Sequence, residues 1–312
     1  MRTLDEKPGV LLLSGGVGGA RMARGFARLE EWNTTVVVNT GDDDWVYGVF
    51  VAPDLDTVVY TLAGVEGPQG WGLANETWEV MEALADFPVD TTFRLGDGDL
   101  ATNLYRTMRI REGKPLSLIT DQIASTFKIG VRLLPATDQP LRTKLRTVGG
   151  EWLDFQDYFV RRQHRDRIGG IRFDGAEAAR PAPGVIEAIR RARAVIIAPS
   201  NPPLSIWPIL AVPGVRSALE AAETVIAVSP LFGGKALKGP AADVMDGLGL
   251  PAGNRGVAEA YRGLLSGLVV DTGDAEDVGF LSDLGLRAWA TDTRIAEPAA
   301  AARLAAEIMA AL

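Results

Sequence analysis

Cysteine is absent from the 312 residues, and histidine occurs once, at His164. The first absence excludes disulfides, thiolate metal sites and cysteine nucleophiles. The second excludes a metal site built from several histidines. A chain without cysteine also suits a reducing compartment, so the cytoplasm is the expected location. No stretch approaches the ~20 apolar residues of a membrane span. Met1 to Pro8 is short and charged, without the apolar centre of a signal peptide. An excess of basic residues is missing too: 32 Lys and Arg against 40 Asp and Glu give a net charge of −8. That balance argues against a general nucleic-acid surface. Phosphates remain accessible to such a chain where cations are placed locally or a metal mediates. What is present, 47% hydrophobic and 23% charged residues, is ordinary for a soluble globular protein. The length allows one large domain or two modest ones with a substantial core.

The most informative stretch is Val10-Leu11-Leu12-Leu13-Ser14-Gly15-Gly16-Val17-Gly18-Gly19. Four apolar residues in a row predict a parallel strand buried on both faces. The glycines allow a tight turn that passes close to a ligand. Arg21 to Leu29 has helical spacing. Strand, glycine turn and helix together aim backbone N–H groups at a phosphate. The spacing is neither the dinucleotide fingerprint nor a P-loop.

Similar units recur. Thr35 to Val38 predicts a strand ending in Asn39-Thr40-Gly41-Asp42-Asp43-Asp44, and Asp54 to Leu62 a helix with acids at its start. Helical periodicity marks Asn75 to Leu84, Leu100 to Arg111 and Pro115 to Phe127. Phe93 to Leu95 reads as a short strand before Gly96-Asp97-Gly98-Asp99. Residues 129–175 have another texture, with short strands at Val131 to Pro135, Leu141 to Val148, Glu151 to Phe155 and Gly170 to Phe173. Ala194 to Ala198 and Thr224 to Val228 are buried strands with polar turns, and Leu268 to Asp271 reads as the last strand of the sheet. Pro298 to Leu312 predicts an amphipathic terminal helix. The fold class is therefore α/β: a doubly wound, mostly parallel Rossmann-like sheet with an inserted β-rich region. The expected division is 1–128, 129–175 for the insertion, and 176–312 completing the first part.

Asp42, Asp43, Asp44, Asp54, Asp56, Asp97 and Asp99 all follow predicted strands or open predicted helices. Aspartate caps helices and fills turns. Gathered together, however, these charges repel unless a cation offsets them. Oxygen ligands suit Mg²⁺, which bridges carboxylates and substrate phosphates. The turns at Ser200-Asn201 and at Ser229 with Gly233-Gly234-Lys235 bring donors for phosphate or base oxygens, and Lys235 a positive charge. His164 sits in a basic, exposed run. Trp45, Trp71, Phe155 and Tyr158 are able to stack on a flat ring, although burial in the core is the default for each.

These stretches in this order resemble a known family, the 2-phospho-L-lactate transferases of coenzyme F-420 biosynthesis. The likeness covers nearly the whole chain. It rests on Ser14 to Gly19, Asn39 to Asp43, Pro53-Asp54-Leu55-Asp56-Thr57, Gly70-Trp71-Gly72 and Leu95-Gly96-Asp97. It continues through Leu100-Ala101-Thr102, Leu134-Pro135, Asp154-Phe155-Gln156, Ala198 to Pro202 and Val228-Ser229-Pro230. The resemblance implies a Mg²⁺-dependent transfer. A phospholactyl, phosphoenolpyruvyl or phosphoglyceryl group passes from a guanosine-diphosphate-linked donor to the ribityl hydroxyl of the deazaflavin Fo, and GMP leaves. It also implies a homodimer.

By the same resemblance Ser14, Gly15, Gly16, Gly18 and Gly19 hold donor phosphate, and the turns at Ser200, Asn201, Ser229, Gly234 and Lys235 serve the nucleotide. Some of Asp42, Asp43, Asp54 and Asp56 hold the metal, and Asp56 or Asp43 takes the hydroxyl proton. Phosphoryl transfer depends on positioning and charge neutralisation more than on a covalent nucleophile, which suits a chain with no cysteine. Three departures stand out: Gly98 where the family has arginine, Asn103 where it has histidine, and Trp207 where glycine is expected. Arg94 and Arg106 are candidates to replace the arginine. The competing readings are a non-catalytic nucleotide or nucleotide-sugar binding regulator of the same fold, and a metal-dependent nucleotide hydrolase.

Overall fold

The computed structural model describes residues 7–236 and 239–312. Most of the charged lead-in read at Met1 to Pro8 lies outside them. Seven strands form the main sheet: β1 (Gly9–Ser14), β2 (Asn33–Val38), β3 (Arg132–Pro135), β4 (Ala192–Ile197), β5 (Val225–Val228), β6 (Gly267–Asp271) and β7 (Arg287–Thr291). Their spatial order is β7-β6-β5-β4-β1-β2-β3, and every neighbouring pair is parallel. Four helices matter most below: α1 (Gly16–Phe26), α2 (Pro53–Ala63), α3 (Asp97–Arg111) and α4 (Pro298–Ala310).

β1 is central because its side chains are needed on both faces. Val10 and Leu12 join one core with Met22 and Phe26 of α1, Leu55 and Val58 of α2 and Leu304 of α4. Leu11 and Leu13 join the opposite core with Val195, Ile197 and Ile209. Each such leucine contributes roughly 1.5–3 kcal/mol by leaving water. From β1 the chain adds β2 and then β3 on one side and crosses back to add β4 on the other. That reversal puts a switch point at the carboxyl end of β1, where open α/β sheets gather ligands.

Five local expectations are corrected. Val131 to Pro135 is not part of the insertion; it pairs with β2 as an edge of the main sheet, with Leu133 and Leu134 buried on opposite faces. The separate antiparallel sheet is Arg142–Thr147 between Trp152–Asp154 and Ile168–Asp174. Leu268 to Asp271 is followed by one more parallel strand, β7, which is only half-buried and so lacks the continuous apolar run. Phe93 to Leu95 forms no strand; it is a loop tied down by the Tyr47 hydroxyl, which donates to the Phe93 carbonyl at 2.6 Å. The helix read from Arg21 begins already at Gly16, and that read from Asn75 only at Glu79. The terminal helix is present as α4, close enough to α1 that a Cβ on Gly25 would meet the Ala301 carbonyl at 2.3 Å.

Candidate active site

The glycine run opens α1, and three of its four glycines answer a close neighbour, while Gly16 takes a φ of 64°. A Cβ on Gly18 would sit 2.4 Å from the Pro199 carbonyl, and one on Gly19 2.5 Å from Ser14 Oγ and 2.8 Å from Ser200 Oγ. One on Gly15 would sit 2.6 Å from Asp54 Oδ2. Four N–H groups at a helix start lack intrahelical partners. Gly15 N–H donates to Ser200 Oγ (3.2 Å), whose hydroxyl donates to the Gly15 carbonyl (2.7 Å). Gly16 N–H donates to Asp54 Oδ1 at 2.6 Å. That leaves the N–H groups of Val17 and Gly18 for an incoming anion, at the positive end of the helix dipole.

The acids gather on the β2 side of this turn. Asn39, the first residue after β2, donates through Nδ2 to Asp54 Oδ2 (2.9 Å) and Asp42 Oδ1 (3.3 Å), and accepts from Gly41 N–H (2.8 Å). Asp42, Asp43, Asp54 and Asp56 are all buried. Burial pushes the Asp42 carboxyl well up, and the Asp54 and Asp43 charges add to it. Burial also raises Asp43, against the opposing Arg142 and Arg106 cations. Asp54 is raised to about 6 by burial, although Asn39 and Gly16 donate to its charged form. Asp56 is gripped at both oxygens by Arg106, through Nη1 at 3.1 Å and through Nη2. Asp43 Oδ1, Ser14 Oγ, Thr40 Oγ1 and Thr143 Oγ1 are buried without a hydrogen-bond partner. Such atoms are rare in folded proteins and call for an explanation.

The small antiparallel sheet closes this site from above. Thr143 N–H donates to the Gly41 carbonyl (2.7 Å), Gln156 Nε2 donates to the Asp42 carbonyl (2.8 Å), and Arg142 lies 3.8 Å from Asp44. Asn39, Arg106, Arg142, Thr143 and Gln156 thus belong to the site, although only Arg106 was a candidate for any role. Arg106 and Asp56 are 50 residues apart. The one local signal was an arginine three residues after Asn103 on a helix; its Nη1 donates to Asn103 Oδ1 at 2.8 Å.

The other predicted donors sit elsewhere. Asn201 Oδ1 accepts from Leu204 N–H (3.2 Å), a local turn beside Ser200. Ser229 is two strands from β1, fully buried, and donates to Asn254 Oδ1 at 2.5 Å. The N–H groups of Gly233 and Gly234 both donate to Asp274, at 3.1 and 2.7 Å, so they are already taken. Lys235 is exposed beside them, and His164 is exposed in its basic run. Asp97 is an acceptor for Thr77, Glu79 and Val80 and anchors a short helix rather than facing the acids. Clefts of about 360 and 520 Å³ lie away from the four acids, beside Met81 and beside Arg24.

A family profile described as 2-phospho-L-lactate transferase CofD matches residues 10–304. The chain belongs to the 2-phospho-L-lactate transferase family. It is 41% identical over 308 residues to the phosphoenolpyruvate transferase of Streptomyces coelicolor, covering 96% of this chain and 97% of that one. The corresponding figures for the phosphoenolpyruvate transferase of Thermobifida fusca are 42% over 286 residues, 86% and 88%. Among solved structures, a UPF0052-family protein from Bacillus halodurans superposes with a TM-score of 0.64 at 15% identity, covering 97% of this chain and 99% of that one. That last likeness concerns the fold.

At α3, neighbouring residues hold Gly98 and Asn103 in place. The N–H groups of Gly98 and Asp99 both donate to Glu76, each at 2.8 Å, and a Cβ on Gly98 would meet Leu73 at 3.1 Å. Glu76 and Leu73 therefore occupy the immediate surroundings of this position. Asn103 is buried between Arg106 and Asp99. Asp99 accepts from the Tyr60 hydroxyl at 2.8 Å and is raised to about 7, by burial and then by the Asp56 charge. Trp207 is half-buried, and its Nε1 donates to the Ala260 carbonyl at 2.9 Å.

Proposed function

We propose that this transferase moves a phosphoenolpyruvyl group from a guanosine-diphosphate-linked donor to the ribityl hydroxyl of the deazaflavin Fo, releasing GMP. The observation that carries the proposal is one rim. The open N–H pair of α1 stands within one hydrogen bond of Asp54, and Asn39 links Asp54 to Asp42. The names of the relatives favour phosphoenolpyruvate over phospholactate or phosphoglycerate as the small acid.

In this reading the Val17 and Gly18 N–H groups bind donor phosphate. Ser200 and Asn201 border the nucleotide, with Ser229 and Lys235 farther along the same sheet edge. Among the described residues no group of three or more His, Asp or Glu side chains is arranged to hold a metal ion alone. Mg²⁺ commonly takes one or two carboxylates and completes its shell with substrate phosphates and water. The unpartnered Asp43 Oδ1 and the buried Asp42 suit that demand. Asp54 and Asp56 have their oxygens committed to Gly16, Asn39 and Arg106. Asp42 and Asp43 would hold Mg²⁺, which would offset the charge of the diphosphate.

The chain's own residues do the rest. The acceptor oxygen attacks the phosphorus that bears the small acid, the bond from that phosphorus to the GMP oxygen breaks, and GMP leaves with the electron pair. The hydroxyl proton goes to Asp43 at Oδ2, since the unpartnered Oδ1 is the atom that would face the metal. Asp56 is the weaker candidate: burial raises its carboxyl too, but the Arg106 guanidinium opposes that rise and occupies both its oxygens. A cytoplasmic homodimer completes the proposal. Among the described residues no helix is long and apolar enough to cross a membrane, and exposed Leu104, Tyr105, Met108 and Leu118 offer a face for pairing.

The test is incubation with Fo, Mg²⁺ and each of the three guanylylated donors, with the deazaflavin product and GMP measured separately. Product from the phosphoenolpyruvyl donor is expected. GMP released without Fo would indicate hydrolysis instead, and nucleotide binding with neither product nor GMP would indicate a regulator.

A further inference from the structure

Six of the seven tryptophans have an evident structural occupation. Trp32, Trp78 and Trp152 lie under the guanidiniums of Arg193, Arg94 and Arg172. Trp45 meets Phe50 edge-on at 5.5 Å, Trp207 donates to the Ala260 carbonyl, and Trp289 packs on the core. Trp71 is 51% exposed. Among the described residues it has no ring, guanidinium or side-chain hydrogen-bond partner. An indole left in water is an unused apolar face with an N–H at its edge.

The loop that carries it is fixed in place. Glu66 and Leu73 form an antiparallel bridge, and Gly67 N–H donates to the Gly72 carbonyl and Gly70 N–H to the Gly67 carbonyl, both at 2.9 Å. Gly70 (φ 92°) and Gly72 (φ 64°) flank Trp71 in the left-handed region, where glycine alone is at ease. A Cβ on Gly70 would lie 2.7 Å from Val17 Cγ1, so the loop rests on a residue that offers one of the open N–H groups of α1. Farther along, Leu73 and Glu76 meet Gly98 at the start of α3. The loop therefore spans the first turns of α1 and α3.

The loop follows α2 and touches α3; Asn39, the residue after β2, holds Asp54 of α2, and Arg106 of α3 holds Asp56, so this region is tied to the end of β2, whereas Ser200 and Ser229 follow β4 and β5 on the other side of β1. A donor with its diphosphate at α1 and its base toward β4 leaves the β2 side to the second substrate. We infer that Trp71 is the face on which the acceptor's flat fused ring stacks, and so a residue that sets acceptor specificity. The inference rests on the proposed transfer and adds where the acceptor lies.

The test compares the wild type with Trp71→Phe and Trp71→Leu, measuring Fo affinity by calorimetry and KM for Fo and for donor separately. Leucine keeps apolar bulk and removes the ring; phenylalanine keeps a ring. Stacking on an aromatic side chain predicts a ~10- to 100-fold rise in Kd and KM for Fo with Trp71→Leu. Trp71→Phe should stay within about threefold of the wild type, and donor KM should not move in either variant. A wild type that transfers to Fo while Trp71→Leu keeps its Fo affinity overturns this inference alone. A rise in donor KM instead overturns it by assigning the ring to guanine. A wild type that transfers nothing to Fo overturns the function beneath it. Equal melting temperatures of the three proteins confirm that folding is not the variable.

Discussion

Two stretches of sheet edge look alike in sequence and differ in structure. At the ends of β1 and β2, Gly15 to Gly19 and Asn39 to Asp43 leave Ser14, Thr40 and Asp43 with buried oxygens that nothing satisfies. Past β5, Ser229 and the Gly233-Gly234 turn are satisfied completely by Asn254 and Asp274, and Asn254 is held in turn by Asp277. Both stretches carry glycine and a hydroxyl; the first has its acids within it, and the second draws Asp274 from beyond β6. The first has room in its bonding for something else, and the second is finished. A turn rich in donors is a binding site only where the protein has not already used them.

Replacing Asp43 should have the largest effect. Asp43→Asn preserves shape, and turnover should fall by ~10² or more if Asp43 accepts the proton; near-normal kcat would remove it from the chemistry. Arg106→Met comes next, as it leaves Asp56 buried without its cation. A loss of about 3–5 kcal/mol in denaturant unfolding is expected for one broken partner of a buried pair. Asp99→Asn tests the edge of the same region through pH. The folded Asp99 keeps its proton up to about 7, against an ordinary value of 3.8. Its contribution to stability is therefore full below pH 4 and lost as pH rises through 7. The variant should gain on the wild type as pH rises from about 4 to about 7, and no further above that, in paired unfolding experiments.

The satisfied region should respond less. Ser229→Ala should cost about 1–3 kcal/mol of stability, because Asn254 loses a buried donor, with turnover nearly unchanged. Lys235→Ala should be the mildest, raising donor KM less than about fivefold, as for an exposed charge in water. If Lys235→Ala proved as damaging as Asp43→Asn, the contrast between the two regions would be wrong.

The same contrast separates what the sequence discloses from what it hides. β1, β2, β4 and β5 are legible because strands covered on both faces need unbroken apolar runs. β7 is half-buried, and Arg287-Ala288-Trp289 shows no such run. Val131 to Pro135 reads as a strand, but its sheet is not legible locally, because pairing with Val36 and Val37 is a long-range choice that local pattern does not encode. The early start of α1 is hidden because glycine is a poor helix former; the neighbours Pro199, Ser14 and Ser200 exclude any Cβ at Gly18 and Gly19. The four acids were visible from their places after strands and at helix starts. Their division into committed and free carboxylates was not, because Arg106 and Asn39 decide it through space.

The strand order has a practical consequence. β1 draws one neighbour, β2, from the early part of the chain and the other, β4, from beyond residue 190. A polypeptide cut in the exposed turn near Gly149 and Gly150 would leave β1 with a bare flank in one piece and its natural mate in the other. Two such fragments, each inert by itself, should recover activity only when mixed, which makes this scaffold suited to a complementation reporter.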